Sequence, residues 1–301
     1  MKKVSGTVKE LTEEQKMYID YVNKHLKFTS SLSSFHQQST LVQETLRTLV
    51  EEVGDVHETE KSLWSFRLQS FVMGIQDLFN NIGKYSRKPQ LYQGVTIGFL
   101  ADFAGLCCLR VQHCFGNKAL QTVWDNLKGV QVTSLPDLRL YRCGLEHKHS
   151  TMMVSVAEVK PDSRSISQEP DEPPRKIFRG GTKFYDNPAT EDSIIEAHLH
   201  DKVLGQHAGE LLLDLHNEYK NDEVLQKKDI LTMSGIILDG TKVFFTLLEI
   251  SKKHYEKLVK NECLNADDRA TIYYSKSKDI LLEVERKSLI EDLMRLNNIE
   301  Y

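Results

Sequence analysis

The segment that most constrains this chain is Met152-Met153-Val154-Ser155-Val156-Ala157-Glu158-Val159-Lys160. It is a short, almost continuous apolar run rich in Val that ends in two charges, and it reads as a buried strand. Side chains alternate along a strand, which puts Val154, Val156, Glu158 and Lys160 on one face and Ser155, Ala157 and Val159 on the other. Two charges thus follow two apolar groups on the same face. A carboxylate at the rim of a core is costly unless it is paired or bound to a metal ion. Lys160 is one available partner.

A second strand is expected just upstream, in Ser134-Leu135-Pro136-Asp137-Leu138-Arg139-Leu140-Tyr141-Arg142. Pro136 fixes its own φ and restrains Leu135, a common way of entering a strand or a turn. If the two strands lie side by side, Asp137 reaches Glu158. Two carboxylates in one pocket either share a proton or hold a divalent cation. The same residues also have a purely structural reading, as a strand entry and as a strand end whose charges pair across one face.

Downstream, a helix is expected from Glu196 to about Tyr219, carrying Gln206-His207-Ala208-Gly209-Glu210-Leu211. Leu204, Ala208, Leu211, Leu212 and Leu215 form its main apolar stripe, with Gln206 beside that stripe together with Val203, Glu210 and Leu213. Met233 to Leu247 then reads as a hairpin turning at Asp239-Gly240.

Strand, strand, helix, hairpin, with Pro136-Asp137 and Glu158-Val159-Lys160 on the strands, resembles the core of the PD-(D/E)xK nuclease superfamily over residues 117 to 250. The resemblance implies an α/β fold: a restriction-endonuclease-like mixed central sheet flanked by helices, with an N-terminal helical region. It divides the chain into a helical region at 1–116 and a nuclease-like domain at 117–301, interrupted by an insert at about 161–192. It implies that Asp137, Glu158 and the main-chain carbonyl of Val159 bind Mg2+ or Mn2+, that Lys160 acts on the attacking water or the phosphate oxygens, and that Gln206 assists. The implied substrate is nucleic acid, with DNA expected and RNA left open; a non-catalytic binding module on the same fold is the alternative. Two positions depart from the pattern. Glu210 stands where the RecB-like branch has a Tyr, and a helix expected at Lys118 to Leu127 offers Gln121 and Asp125 but not the Glu that many members carry. Glu44, Glu51 and Glu52 are other carboxylates that would complete the set.

Composition bounds the partners. The 301 residues are 40% hydrophobic, enough for a large core, and the net charge of −4 excludes a global basic field for nucleic acid. Any such surface is local; Lys84, Arg87 and Lys88, and Arg175, Lys176 and Arg179, are the candidate loops. Five cysteines without framework spacing read as reduced core residues of an intracellular protein, nuclear or cytoplasmic. A zinc site from Cys107, His113, Cys114, Cys143, His147 and His149 lacks the paired C-x-x-C spacing. The N-terminus has no secretory apolar segment, and the run Gly94 to Leu109 is too short to span a bilayer and reads as a buried helix.

Residues 12 to 115 read as mostly helical. Thr12 and Gln15 form a capping box, and helices are expected at Ser39 to Val53 and Ser62 to Asn80. The stretch 161 to 192, rich in Pro, Ser and charge, is expected to be a disordered insert. Ala270 to Tyr274 reads as a last strand, and Asp279 to Leu296 as a helix with Ile280, Leu281, Val284, Leu289 and Leu293 inward.

Overall fold

A computed structural model of the chain describes residues 7–8, 10–30, 40, 43–51, 62–85, 89–145, 153–160, 199 and 201–300. In chain order the elements begin with β1 (Thr7–Val8), α1 (Glu13–His25), α2 (Ser62–Tyr85), α3 (Pro89–Leu106) and β2 (Leu109–His113). Then come β3 (Thr122–Leu127), β4 (Val130–Ser134), β5 (Leu138–Arg142), β6 (Met153–Lys160), α4 (Asp201–Asn221) and α5 (Glu223–Gln226). The last are β7 (Ile230–Asp239), β8 (Lys242–Ser251), α6 (Lys252–Val259), β9 (Ala270–Tyr274), β10 (Lys278–Asp279), α7 (Glu283–Leu296) and β11 (Ile299–Glu300). Residues 43–51 are also helical.

The architecture is mixed α/β, with helices on both faces of one sheet. The sheet runs β10-β8-β7-β6-β5-β2, and β9 also pairs with β8. Among the described residues only β6 and β7 pair in parallel, and α4 lies between them in the chain. β7 and β8 form the hairpin expected from Asp239-Gly240, with Gly240 at φ 62° in the turn.

Each face has its own core. On one, Tyr18, Val22, Leu68, Phe71, Phe99 and Phe103 from the N-terminal helices pack with Leu138, Leu140, Ala157, Val159, Ile236 and Leu238 of the sheet. β2 precedes the 116/117 division and pairs along its whole length with β5. On the other face, Leu211, Leu213 and Leu215 of α4 pack with Val156, Leu231, Met233 and Leu248.

Several expectations hold in detail. Thr12 accepts from the Gln15 N–H while the Gln15 side chain accepts from the Thr12 N–H, closing the capping box of α1. β9 forms at Ala270–Tyr274. Among the described residues, no helix is long and apolar enough to cross a membrane.

Other expectations are corrected. Lys118 to Leu127 is not a helix: one 3-10 turn at Lys118–Leu120 leads into β3, which pairs with β4 through a turn at Lys128 and Gly129. Both turn residues have positive φ, 56° and 83°, the backbone that a tight two-residue hairpin turn demands. The buried helix ends at Leu106, and Cys108, at φ 60°, turns the chain so that Leu109 opens β2. Val154 does not share a face with Val156 and Glu158. The pairing of β5 with β6 slips between Leu140 and Tyr141, and this bulge sends Val154 into the opposite core. Val284 is 81% exposed, since α7 starts only at Glu283 and turns Leu289, Ile290 and Leu293 inward instead.

None of the five cysteines is in a disulfide, and four of them are buried. His147 and His149 of the imagined zinc cluster lie outside the described residues, as do the insert at 161–192 and the basic loop at Arg175, Lys176 and Arg179.

Candidate active site

Asp137 sits just ahead of β5, where the antiparallel register with β6 sets Leu138 opposite Ala157 and brings the next pair of positions, Asp137 and Glu158, together. The two strands do lie side by side. β5 ends here, so the Val159 N–H has no further backbone acceptor on that side. The Asp137 carboxylate takes its place, accepting from Val159 N–H at 2.8 Å. Asp137 is held from behind as well, because its carbonyl accepts from the N–H groups of Cys114 and Phe115 at 2.9 and 3.2 Å.

Glu158 points from β6 toward α4 and is 1% exposed. Its Oε1 accepts from the Lys160 ammonium, two residues along the same face, and from the Gln206 amide at 2.9 Å. Gln206, in the first turns of α4, is exposed, and its amide also donates to Glu210 Oε1 at 2.9 Å. The sequence-derived residues Glu158, Lys160 and Gln206 therefore form one hydrogen-bonded group, and Asp137 stands beside it, bonded to the Val159 N–H.

Two members were not anticipated from sequence. Gln93 on α3 reaches Asp137 Oδ1 and Oδ2 at 3.3 Å each and the Val159 carbonyl at 3.4 Å. These contacts are long and weak. The signal for Gln93 was its alignment with the buried Ile97, Leu100 and Ala104 along one stripe of an apolar helix. Neither Gln121 nor Asp125 takes part; both lie in or beside the β3 strand.

Glu210 is the second. The buried face of α4 carries His207, Glu210, Asp214 and His216 beside its leucines, and Leu204, Ala208 and Leu212 of the expected stripe are only half-buried. Each buried polar group but one has a clear partner across the core. His207 Nε2 meets Thr246 Oγ1 at 2.8 Å, Asp214 forms a two-pronged pair with Arg139 at 2.9 and 3.0 Å, and His216 meets the Tyr255 hydroxyl at 2.7 Å. The exception is Glu210: its Oε2 is buried without a hydrogen bond, 3.7 Å from His207 Nδ1, which also lacks one.

Negative charge is under strain here. Burial, then the charge of Glu158, pushes Asp137 up to about 6. Burial, then Glu210, pushes Glu158 up to about 7. Burial pushes Glu210 up to about 7 and His207 down to about 4, so His207 is neutral and offers no counter-charge.

The donor set is oxygen-rich, as a hard divalent cation requires. Asp137, Glu158 and the Val159 carbonyl are the atoms that would hold it, and the poorly compensated charge fits a cation. Among the described residues no three His, Cys, Asp or Glu side chains are grouped to hold a metal ion. Compared with protein-family models, curated proteins and solved structures, the chain matches none.

Proposed function

We propose that this chain is a metal-dependent nuclease of the PD-(D/E)xK type, with a restriction-endonuclease-like sheet and DNA as its substrate. The observation that carries the reading is the meeting of Asp137 and Glu158 across β5 and β6, with Lys160 on Glu158. Supporting it are the parallel β6–β7 pair with its helical crossover and the raised pKa values of the two carboxyls.

Phosphodiester hydrolysis joins a water oxygen to phosphorus, breaks one P–O ester bond, and leaves the water's proton to be taken up and the departing alkoxide to be protonated. Asp137, Glu158 and the Val159 carbonyl would hold a Mg2+ or Mn2+ ion, which would supply a water of lowered pKa and neutralise phosphate charge. Lys160 has its ammonium at Glu158, where it steers the water or stabilises the phosphate oxygens. Gln206 holds Glu158 from the helix side. An intracellular site of action, nuclear or cytoplasmic, belongs to the same proposal and is supported by the lack of any disulfide among the five cysteines.

One observation favours a second reading, a non-catalytic binding module: Glu158 is nearly inaccessible and already carries two donors. Calorimetric titration with Mn2+ separates the two. Binding by the wild type that is lost in Glu158→Ala supports the nuclease reading, and absence of binding by the folded wild type favours the module.

A further inference from the structure

We propose that Glu210 is a positioning residue of this site, anchoring Gln206 so that the Gln206 amide fixes the carboxylate of Glu158. The inference rests on the metal-site reading above.

Gln206 and Glu210 are four apart on α4 and so lie on the same side of the helix. An amide nitrogen has two hydrogens, and here each has an acceptor at 2.9 Å, one on Glu158 and one on Glu210. Gln206 is otherwise an exposed side chain with free rotamers. The bond to Glu210 holds its amide on Glu158, and the bond from Lys160 to the same Oε1 completes the clamp. Ligand carboxylates oriented by hydrogen bonds bind metal more tightly than unsupported ones.

The cost of Glu210 argues against a purely structural role. It is 3% exposed and its Oε2 has no hydrogen-bond partner. A Leu would fill the same space without burying a polar group, but it would leave the Gln206 amide without its second acceptor. Local rules broken in this way are expected where a site is being held in place.

The test is Mn2+ titration of the full chain by calorimetry, with thermal unfolding followed on each variant. Glu210→Ala and Gln206→Ala are each expected to weaken Mn2+ binding by about tenfold, the scale of lost outer-shell support. The double variant is expected to be no weaker than either single one, because both remove the same link. Glu210→Gln keeps an acceptor for Gln206 and is expected to restore most of the affinity, a rescue that mere space-filling would not give. Should Glu210→Ala not fold, Glu210→Met removes the acceptor while filling the volume. Unchanged affinity in the acceptor-less variants, additive losses in the double variant, or failure of Glu210→Gln to rescue would each overturn the positioning role while leaving the metal site intact. A wild type that takes up no Mn2+ overturns the metal reading, and the positioning role with it.

Discussion

The carboxylate of Asp137 accepts the Val159 N–H at 2.8 Å, closing the backbone ladder where β5 runs out. Asp137 is thus part of the sheet's hydrogen bonding as well as of the candidate site. Removing it in Asp137→Ala leaves a fully buried N–H unpaired, at a cost of about 1–3 kcal/mol. Asp137→Asn retains an oxygen acceptor, so urea denaturation should find it clearly more stable than Asp137→Ala. Loss of cleavage in Asp137→Ala alone therefore mixes folding with chemistry, and Asp137→Asn is the cleaner variant.

Gly235 on β7 allows α4 to approach the sheet beside the site. A Cβ there would lie 2.4 Å from Thr246 Oγ1, 2.6 Å from His207 Nε2 and 2.8 Å from Leu211 Cδ2. Gly235→Ala must push the helix or break the His207–Thr246 bond, and a destabilisation of about 1–3 kcal/mol is expected from overpacking. An unchanged denaturation midpoint would mean that α4 sits less tightly than described.

The Arg139–Asp214 pair locks β5 to α4 on the same face. Arg139 also donates to Thr122 Oγ1 at 2.6 Å and to the Leu120 carbonyl at 2.8 Å, which ties in the β3–β4 hairpin. Asp214→Ala strands a buried guanidinium and should cost about 3–5 kcal/mol. Proteolysis would report early loosening of residues 118–134 in that variant.

Burial raises Glu210 to about 7 from an ordinary value of 4.5. A carboxyl raised in the folded state favours folding fully below its unfolded pKa, and that contribution is lost as pH rises through the folded value. Without metal, the melting temperature of Glu210→Gln should therefore gain on that of the wild type as pH rises from 5 to 8. His207, lowered to about 4, is neutral in the folded protein over that range, and Glu158, which Glu210 helps to raise to about 7, moves the difference in the same direction. A gap that stays constant over that range would contradict the burial of an ionisable Glu210.

Strands β5 to β9, the Asp-Gly hairpin and the capping box were legible because each is a local pattern of period, turn chemistry or hydrogen-bonding partners. The pairing of Asp137 with Glu158 was legible from motif order. The failures have non-local causes. Lys118 to Leu127 has helix-compatible residues, and only the hairpin partner β4 and the Lys128-Gly129 turn make Thr122–Leu127 a strand. Val154 was misplaced by a bulge set by its neighbour strand. The apolar stripe of α4 was drawn through leucines, yet His207, Glu210 and Asp214 are buried because Thr246, Gln206 and Arg139 come to meet them from distant or neighbouring positions. Gln93 belongs to the site only because α3 packs on the end of β5.

Cleavage of labelled DNA and RNA with added Mg2+ or Mn2+ is the decisive measurement for nuclease activity. The wild type is compared with Asp137→Asn and Lys160→Met, each first shown to be folded. The account predicts cleavage of DNA by the wild type that a chelator abolishes and that both variants lack. Folded wild type that cuts neither nucleic acid, or full cleavage by folded Asp137→Asn, would contradict it.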